Sequence, residues 1–245
     1  MKIFLYFTLL IASIFCKAQI VDTLKVGDRF KRFDQLVMGE FQELSYLEID
    51  GKTVIGSLTT KRVEQVQKNG LEYLAFTHQW TSGKKDAIPE YFYFLCKPET
   101  LKPVLLIRKT EKEGKEAFRF DENQIVALDT VTDNTLQNFI LRLNTPTFNW
   151  QIDIETYSLL PMKKDYHVVM NFYHPGGSKP DYYHLKVIGE ERISLPNGKS
   201  MDCWILFTDY HGKQPSKFWY TKEGQNFVKM QGSYGKMVIH KVRLY

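Results

Sequence analysis

The sequence predicts a mainly β, α+β fold: a curved antiparallel sheet, or half-barrel, with one or two helices on its concave side. Three observations carry this. Dipeptides that supply positive φ, namely Asp50-Gly51, Asn69-Gly70, Glu113-Gly114, Asn197-Gly198, His211-Gly212 and Glu223-Gly224, punctuate the chain at short intervals. Between them lie short runs rich in Val, Ile, Thr, Tyr, Phe and Trp, the side chains that fit a pleated surface. The connections are also too short for βαβ crossovers, so the strands run antiparallel. About a dozen such strands cannot stay flat, because twist makes a sheet curl or close. A closed barrel, a sandwich and a half-barrel plugged by helix all satisfy that demand.

Taken in chain order, residues 40–48 and 53–60 flank Asp50-Gly51, and 71–80 follows Asn69-Gly70. Strands 90–96, 103–109, 115–120 and 124–129 come next. Asp133 or Asn134 then caps an expected helix with Leu136, Phe139, Ile140 and Leu143 on one side, stopped by Pro146. Residues 133–150 read as a hinge between two sheet halves. A shorter helical stretch is expected near 31–40, with Arg32, Phe33, Leu36 and Val37. From Tyr166 to Tyr173, Tyr166, Val168, Met170 and Phe172 share one face, and His167, Val169, Asn171 and Tyr173 the other. Strands 182–193, 201–209, 216–221 and 226–231 follow. The last strand sets Val238, His240, Val242 and Leu244 against Met237, Ile239 and Lys241. No repeat of fixed period and no low-complexity linker interrupts this, so residues 19–245 read as one domain.

The N-terminus reads as a cleavable secretory signal. Lys2 gives a positive start, Ile3 to Phe15 is an uncharged apolar run, and Cys16-Lys17-Ala18 sets small side chains at −3 and −1. A run this short does not span roughly 30 Å of hydrocarbon as a helix. Cleavage after Ala18 leaves Gln19 first, in a periplasmic or secreted chain with no transmembrane segment. Cys16 raises the alternative of an acylated lipoprotein, but Ile14 and Phe15 stand where that processing wants small residues.

Loss of Lys2 and Lys17 lowers the net charge from +5 to +3. That weak basicity, with no clustering, excludes a nucleic-acid footprint. Cys96 and Cys203 remain. An oxidising compartment lets them pair, and their apolar neighbours equally suit two separate buried thiols.

No catalytic constellation stands out. His174, Asp181 and His184 flank a loop with two prolines and two glycines, and could form a facial Zn or Fe site; a hairpin loop whose histidines merely end strands explains them as well. Pairing Tyr173 with Tyr182 would set Asn171 opposite His184. The serines lack a Gly-x-Ser-x-Gly elbow, and the apolar flanks of Cys203 make it inert. Glu190-Glu191, and Asp153 with Glu155, read as charges on the solvent face of strands. No metal or other cofactor is expected. Aromatic residues make up 14% of the chain, and of these Trp80, Tyr93, Phe139, Tyr173 and Trp219 are candidates to line a concave, apolar ligand site.

Two stretches carry a family resemblance. Residues 92–129 hold Phe94-Leu95-Cys96-Lys97-Pro98-Glu99-Thr100-Leu101-Lys102-Pro103 followed by two strands. Residues 148–231 hold Phe148-Asn149-Trp150-Gln151-Ile152-Asp153, Leu159-Leu160-Pro161, Phe172-Tyr173-His174-Pro175-Gly176-Gly177, Asp202-Cys203-Trp204 and Lys217-Phe218-Trp219-Tyr220-Thr221-Lys222. Together they resemble a family of uncharacterised envelope proteins of Gram-negative bacteria, similar to the lipoprotein-localisation-factor-like half-barrels. The resemblance implies an envelope location and handling of lipid or lipopeptide, and it brings no catalytic residue. The sequence thus predicts a non-enzymatic envelope protein binding a lipid or acyl chain. The alternatives are a filled-core module that binds an envelope protein partner, and a hydrolase using the His174–Asp181–His184 set.

Overall fold

The computed structural model describes residues 21–194 and 198–244. The expected leader, residues 1–18, and Asn197 lie outside the described residues. The first part of the chain contributes β1 (Asp22–Leu24), β2 (Gly39–Ile49), β3 (Lys52–Lys68), β4 (Leu71–Ser82) and β5 (Glu90–Cys96), then β6 (Pro103–Thr110), β7 (Gly114–Phe120), β8 (Gln124–Ala127) and β9 (Ile140–Arg142). A connecting segment leads to β10 (Phe148–Asn149), a 3-10 turn at Trp150–Ile152 and helix α1 (Asp153–Ser158). The chain ends with β11 (His167–Tyr173), β12 (Asp181–Ser194), β13 (Ser200–Thr208), β14 (Ser216–Thr221), β15 (Phe227–Tyr234) and β16 (Met237–Leu244).

All these strands form one curved sheet. Strands β2 to β9 are neighbours in order, as are β11 to β16, and the two meanders join where β16 pairs with β2. β1 and β10 both add to β11 in parallel. The open side is sealed by side chains: Phe120 of β7 meets Tyr173 of β11 at 6.5 Å between ring centroids. The segment before β10 also docks on β11, with Thr147 Oγ1 donating to Asn171 O and Asn171 Nδ2 donating to Pro146 O. The result is an open sheet curled into a barrel-like shell.

The hairpins follow from turn chemistry. Ile49 pairs with Lys52 and Lys68 with Leu71, so Asp50-Gly51 and Asn69-Gly70 are two-residue loops. Positive φ at both central residues (49° and 74°, 53° and 73°) matches the strand twist. Alternation then sorts the faces. Leu74, Phe76 and His78 of β4, Phe92 and Phe94 of β5, and Phe218 and Tyr220 of β14 all point inward and are buried. Smaller clusters form elsewhere on the sheet, around Ala75, Leu95 and Leu105, and around Cys203, Trp219 and Val228.

Two helix expectations are corrected. Residues 133–143 are turns followed by β9. Asp133 and Asn138 adopt positive φ (62° and 63°), which breaks a helix, and Ile140–Arg142 pair with β8. The three-and-four spacing nevertheless serves the core, since Phe139 packs on Phe118 and Leu143 is buried. Near 31–40 only the 3-10 turn Phe33–Gln35 forms before β2 begins.

The helix inside the shell is α1, on residues expected in a strand with their charges to solvent. At six residues it is too short to stand alone. Asn149 accepts from Gln151 N, Tyr220 Oη donates to Ile154 O, and Gln225 Nε2 donates to Ser158 O. Tyr157 packs edge-on against Phe172 and Phe218 at 5.9 and 5.4 Å.

Candidate functional site

Helix α1 does not fill the shell. Beside it lies a cavity of about 610 Å³, within the range of small-molecule pockets. Trp80 of β4, Phe92 of β5, Trp150 of the 3-10 turn, Phe218 of β14 and Met230 of β15 supply its apolar wall. Its inner end is polar, with His78 of β4, Asp153 of α1 and Lys241 of β16. The outer end carries His174, Asp181 and His211, the last two ion-paired at 3.2 Å and half exposed.

Beneath the inner end is a buried charge cluster. Thr59, Lys61 and Val63 of β3 alternate inward, and Lys61 Nζ reaches Glu155 Oε1 of α1 at 2.8 Å and Glu43 Oε1 of β2 at 3.1 Å. Burial alone would push the ammonium down; the two carboxylates overcome this and hold it above its ordinary range. His78, cross-strand from Lys61, sits with Nε2 3.7 Å from Glu155 Oε1. Burial, reinforced by Lys61, holds it well below the usual imidazole range, so it is neutral. Burial also pushes Asp153 up to about 7, with Lys241 pulling it back and Glu155 adding to the rise.

Of the five aromatic candidates, Trp80 lines the cavity. Tyr93 packs with Ala75, Leu95 and Leu105 outside it. Phe139 sits on Phe118, and Tyr173 is fully buried at the seam. Trp219 belongs to the Cys203 cluster, donates from Nε1 to Glu191 at 2.8 Å and carries Lys229 over its ring. In a strand the next residue faces the other way, so Phe92 and Phe218 face the cavity where Tyr93 and Trp219 do not.

The His174, Asp181 and His184 set is divided. His174 stacks on Trp150 at 4.0 Å, Asp181 pairs with His211, and His184 Nδ1 meets His167 Nε2 at 2.9 Å. The register also differs from the expected one: Asn171 opposes Tyr182, and His184 opposes Val169. That two-residue offset preserves the faces. Among the described residues no group of three or more His, Cys, Asp or Glu is placed to hold a metal. Cys96 and Cys203 are free, buried thiols in separate clusters. Burial raises both, Cys203 to about 11.

Sequence reasoning missed Glu43, Lys61 and His78, and gave Asp153 and Glu155 the wrong setting. The available signal was parity. Lys61 is two residues from Thr59 and from Val63 on an inward face, and His78 lies midway between Phe76 and Trp80.

No helix among the described residues is long and apolar enough to cross a membrane. No curated protein matches the sequence. One similar solved structure is that of a beta-barrel-like protein of domain of unknown function DUF1849 from Brucella abortus. The likeness has a TM-score of 0.50 at 9% identity, over 85% of this chain and 97% of that one. Identity this low speaks to the fold alone: a barrel-like shell. Residues 43–239, most of the chain, match the family described as "Protein of unknown function (DUF3108)", and the chain belongs to that family.

Proposed function

We propose that this chain is a non-catalytic binding module of the cell envelope, exported to the periplasm by its leader, that holds a lipid or other hydrophobic small molecule beside α1. One observation carries the reading: the shell keeps a cavity of about 610 Å³ walled by Trp80, Phe92, Trp150, Phe218 and Met230. Burial in such a wall is worth roughly 0.8 kcal/mol per methylene. The polar inner end would fix the orientation of the occupant, as a few placed polar groups do in apolar pockets. The resemblance to lipoprotein-localisation-factor-like half-barrels supports the same reading, as does the division of His174, Asp181 and His184 among different partners.

Native mass spectrometry of the chain purified from a periplasmic extract tests it. An organic-extractable adduct is expected on the wild type. It should be lost from Met230→Trp, which fills the space, at unchanged circular dichroism. A clean apo mass together with no uptake of cis-parinaric acid would remove the reading. Cell fractionation and N-terminal sequencing test the export step, with Gln19 expected first.

A further inference from the structure

Every group that faces the cavity's inner end without a protein partner bears on what the occupant carries there. His78 is 2% exposed, and its Nε2 has no hydrogen-bond partner; Glu155 Oε1 at 3.7 Å is too far to be one. Trp80 Nε1, two residues along β4 and so on the same face, is buried and equally without a partner. Lys241 Nζ lies 6.0 Å from the centre of the Trp80 ring, and its ion pair with Glu43 Oε2 is 3.9 Å long. Three residues that line one end of the space thus carry spare donor capacity: the Trp80 indole, the His78 imidazole in the tautomer protonated at Nε2, and the Lys241 ammonium beyond its long pair with Glu43.

The accepting groups are arranged differently. Glu43 and Glu155 are ion-paired with Lys61 and do not line the cavity, although both Glu43 oxygens and Glu155 Oε2 have no hydrogen-bond partner. Gln151 Oε1 also lacks a partner there, but an amide can turn to present its NH₂ instead. Asp153 is the carboxyl that faces the inner end, and burial keeps it protonated up to about pH 7. In that form it donates an O–H and does not repel an anion.

We propose that the inner end of the cavity is a subsite for the carboxylate of an apolar acid, received by His78 Nε2, Trp80 Nε1 and Lys241 Nζ. The inference rests on the cavity-binding reading and narrows it from any hydrophobic molecule to an acid. Charge-assisted hydrogen bonds from an ammonium and two N–H donors are stronger than those a neutral oxygen would accept. With a single ammonium lining that end, the subsite suits one negative charge.

Fluorescence titration of the mature chain at pH 6.5 with cis-parinaric acid and with its methyl ester is the test. The wild type should bind the acid at least about tenfold more tightly than the ester, equivalent to about 1.4 kcal/mol. Trp80→Phe and Lys241→Met should each bring the acid's affinity close to the ester's within the same variant, with an unchanged circular dichroism spectrum reporting that the variant is folded. Lys241→Arg should keep the preference. Equal binding of acid and ester by the wild type would overturn the subsite and leave the cavity-binding reading standing. A preference that survives both Trp80→Phe and Lys241→Met would place the carboxylate elsewhere and also overturn it. If neither probe binds, both proposals fall.

Discussion

Lys61 Nζ on β3 lies 2.8 Å from Glu155 Oε1 on α1, ninety-four residues away, with both side chains at most 5% exposed. This contact ties the sheet to the helix that sits inside it. The same ammonium serves Glu43, so its removal strands two buried carboxylates. Breaking a buried pair from one side costs about 3–5 kcal/mol, a large share of the roughly 5–15 kcal/mol that holds a typical domain. Lys61→Met is expected to lose that much in urea denaturation. Glu155→Gln should lose less, since Glu43 still compensates Lys61.

His78 and Asp153 make stability depend on pH in opposite directions. His78 has its folded value well below 6.5, so the unfolded chain binds the proton first. Its contribution is complete above about pH 6.5 and is lost as pH falls below that. Asp153 is raised from 3.8 to about 7, so the folded chain holds the proton longer. Its favourable term is complete below about 3.8 and is lost as pH rises to about 7. Asp153→Asn should match the wild type near pH 4 and exceed it at pH 8. A gain of about 1–2 kcal/mol there would raise the thermal midpoint by roughly 2–8 °C. His78→Gln should flatten the loss on the acid side. Thermal melts by circular dichroism across pH 4–8 measure both.

The strands were legible because turn dipeptides and period-two alternation agree along most of the sheet. β5 and β14 fall on the expected residues, and most others within one or two. What escaped was polar residues on inward positions. β3 runs to Lys68, eight residues past its expected end, because 61–68 reads as polar although Lys61 and Val63 face the core. Likewise Asp153 and Glu155 read as surface charges because only a distant Lys61 makes burial of Glu155 tolerable. Pairings across ninety residues leave no local trace. Trp80 lines the cavity because it lies inward on β4; among the aromatic candidates, Tyr93 and Trp219 could not be separated from it without the parity of their strands.

Asn134 explains why the expected helix gives way to turns. Its Oδ1 accepts from Ala117 N, and its Nδ2 donates to Ala117 O and Leu128 O, all within 3.2 Å. A side chain bonded to the backbone of β7 in this way competes with helix formation. Asn134→Ala strips the buried Ala117 N of its acceptor, while Ala117 O keeps Leu128 N and Leu128 O keeps Val131 N; the unsatisfied donor costs about 1–3 kcal/mol. The urea midpoint should fall at an unchanged slope, the signature of lost stability without altered compactness. Asn134→Asp should be worse than Ala, because a carboxylate oxygen would then face two carbonyls.

Cys96 and Cys203 set an expectation for the redox behaviour of the chain. Both are buried, at 1% and 0% exposure, and lie in separate clusters with no bond between them. The thiolate is the reacting species, and burial raises both thiols, Cys203 to about 11. Native protein should therefore resist a thiol reagent such as Ellman's reagent, and both thiols should react once urea unfolds the chain. Reductant should leave the thermal midpoint unchanged, since no cross-link restrains the unfolded state. A mass two hydrogens lighter in oxidised periplasmic material, restored by reductant, would show that the two strands approach one another in a way this fold does not allow.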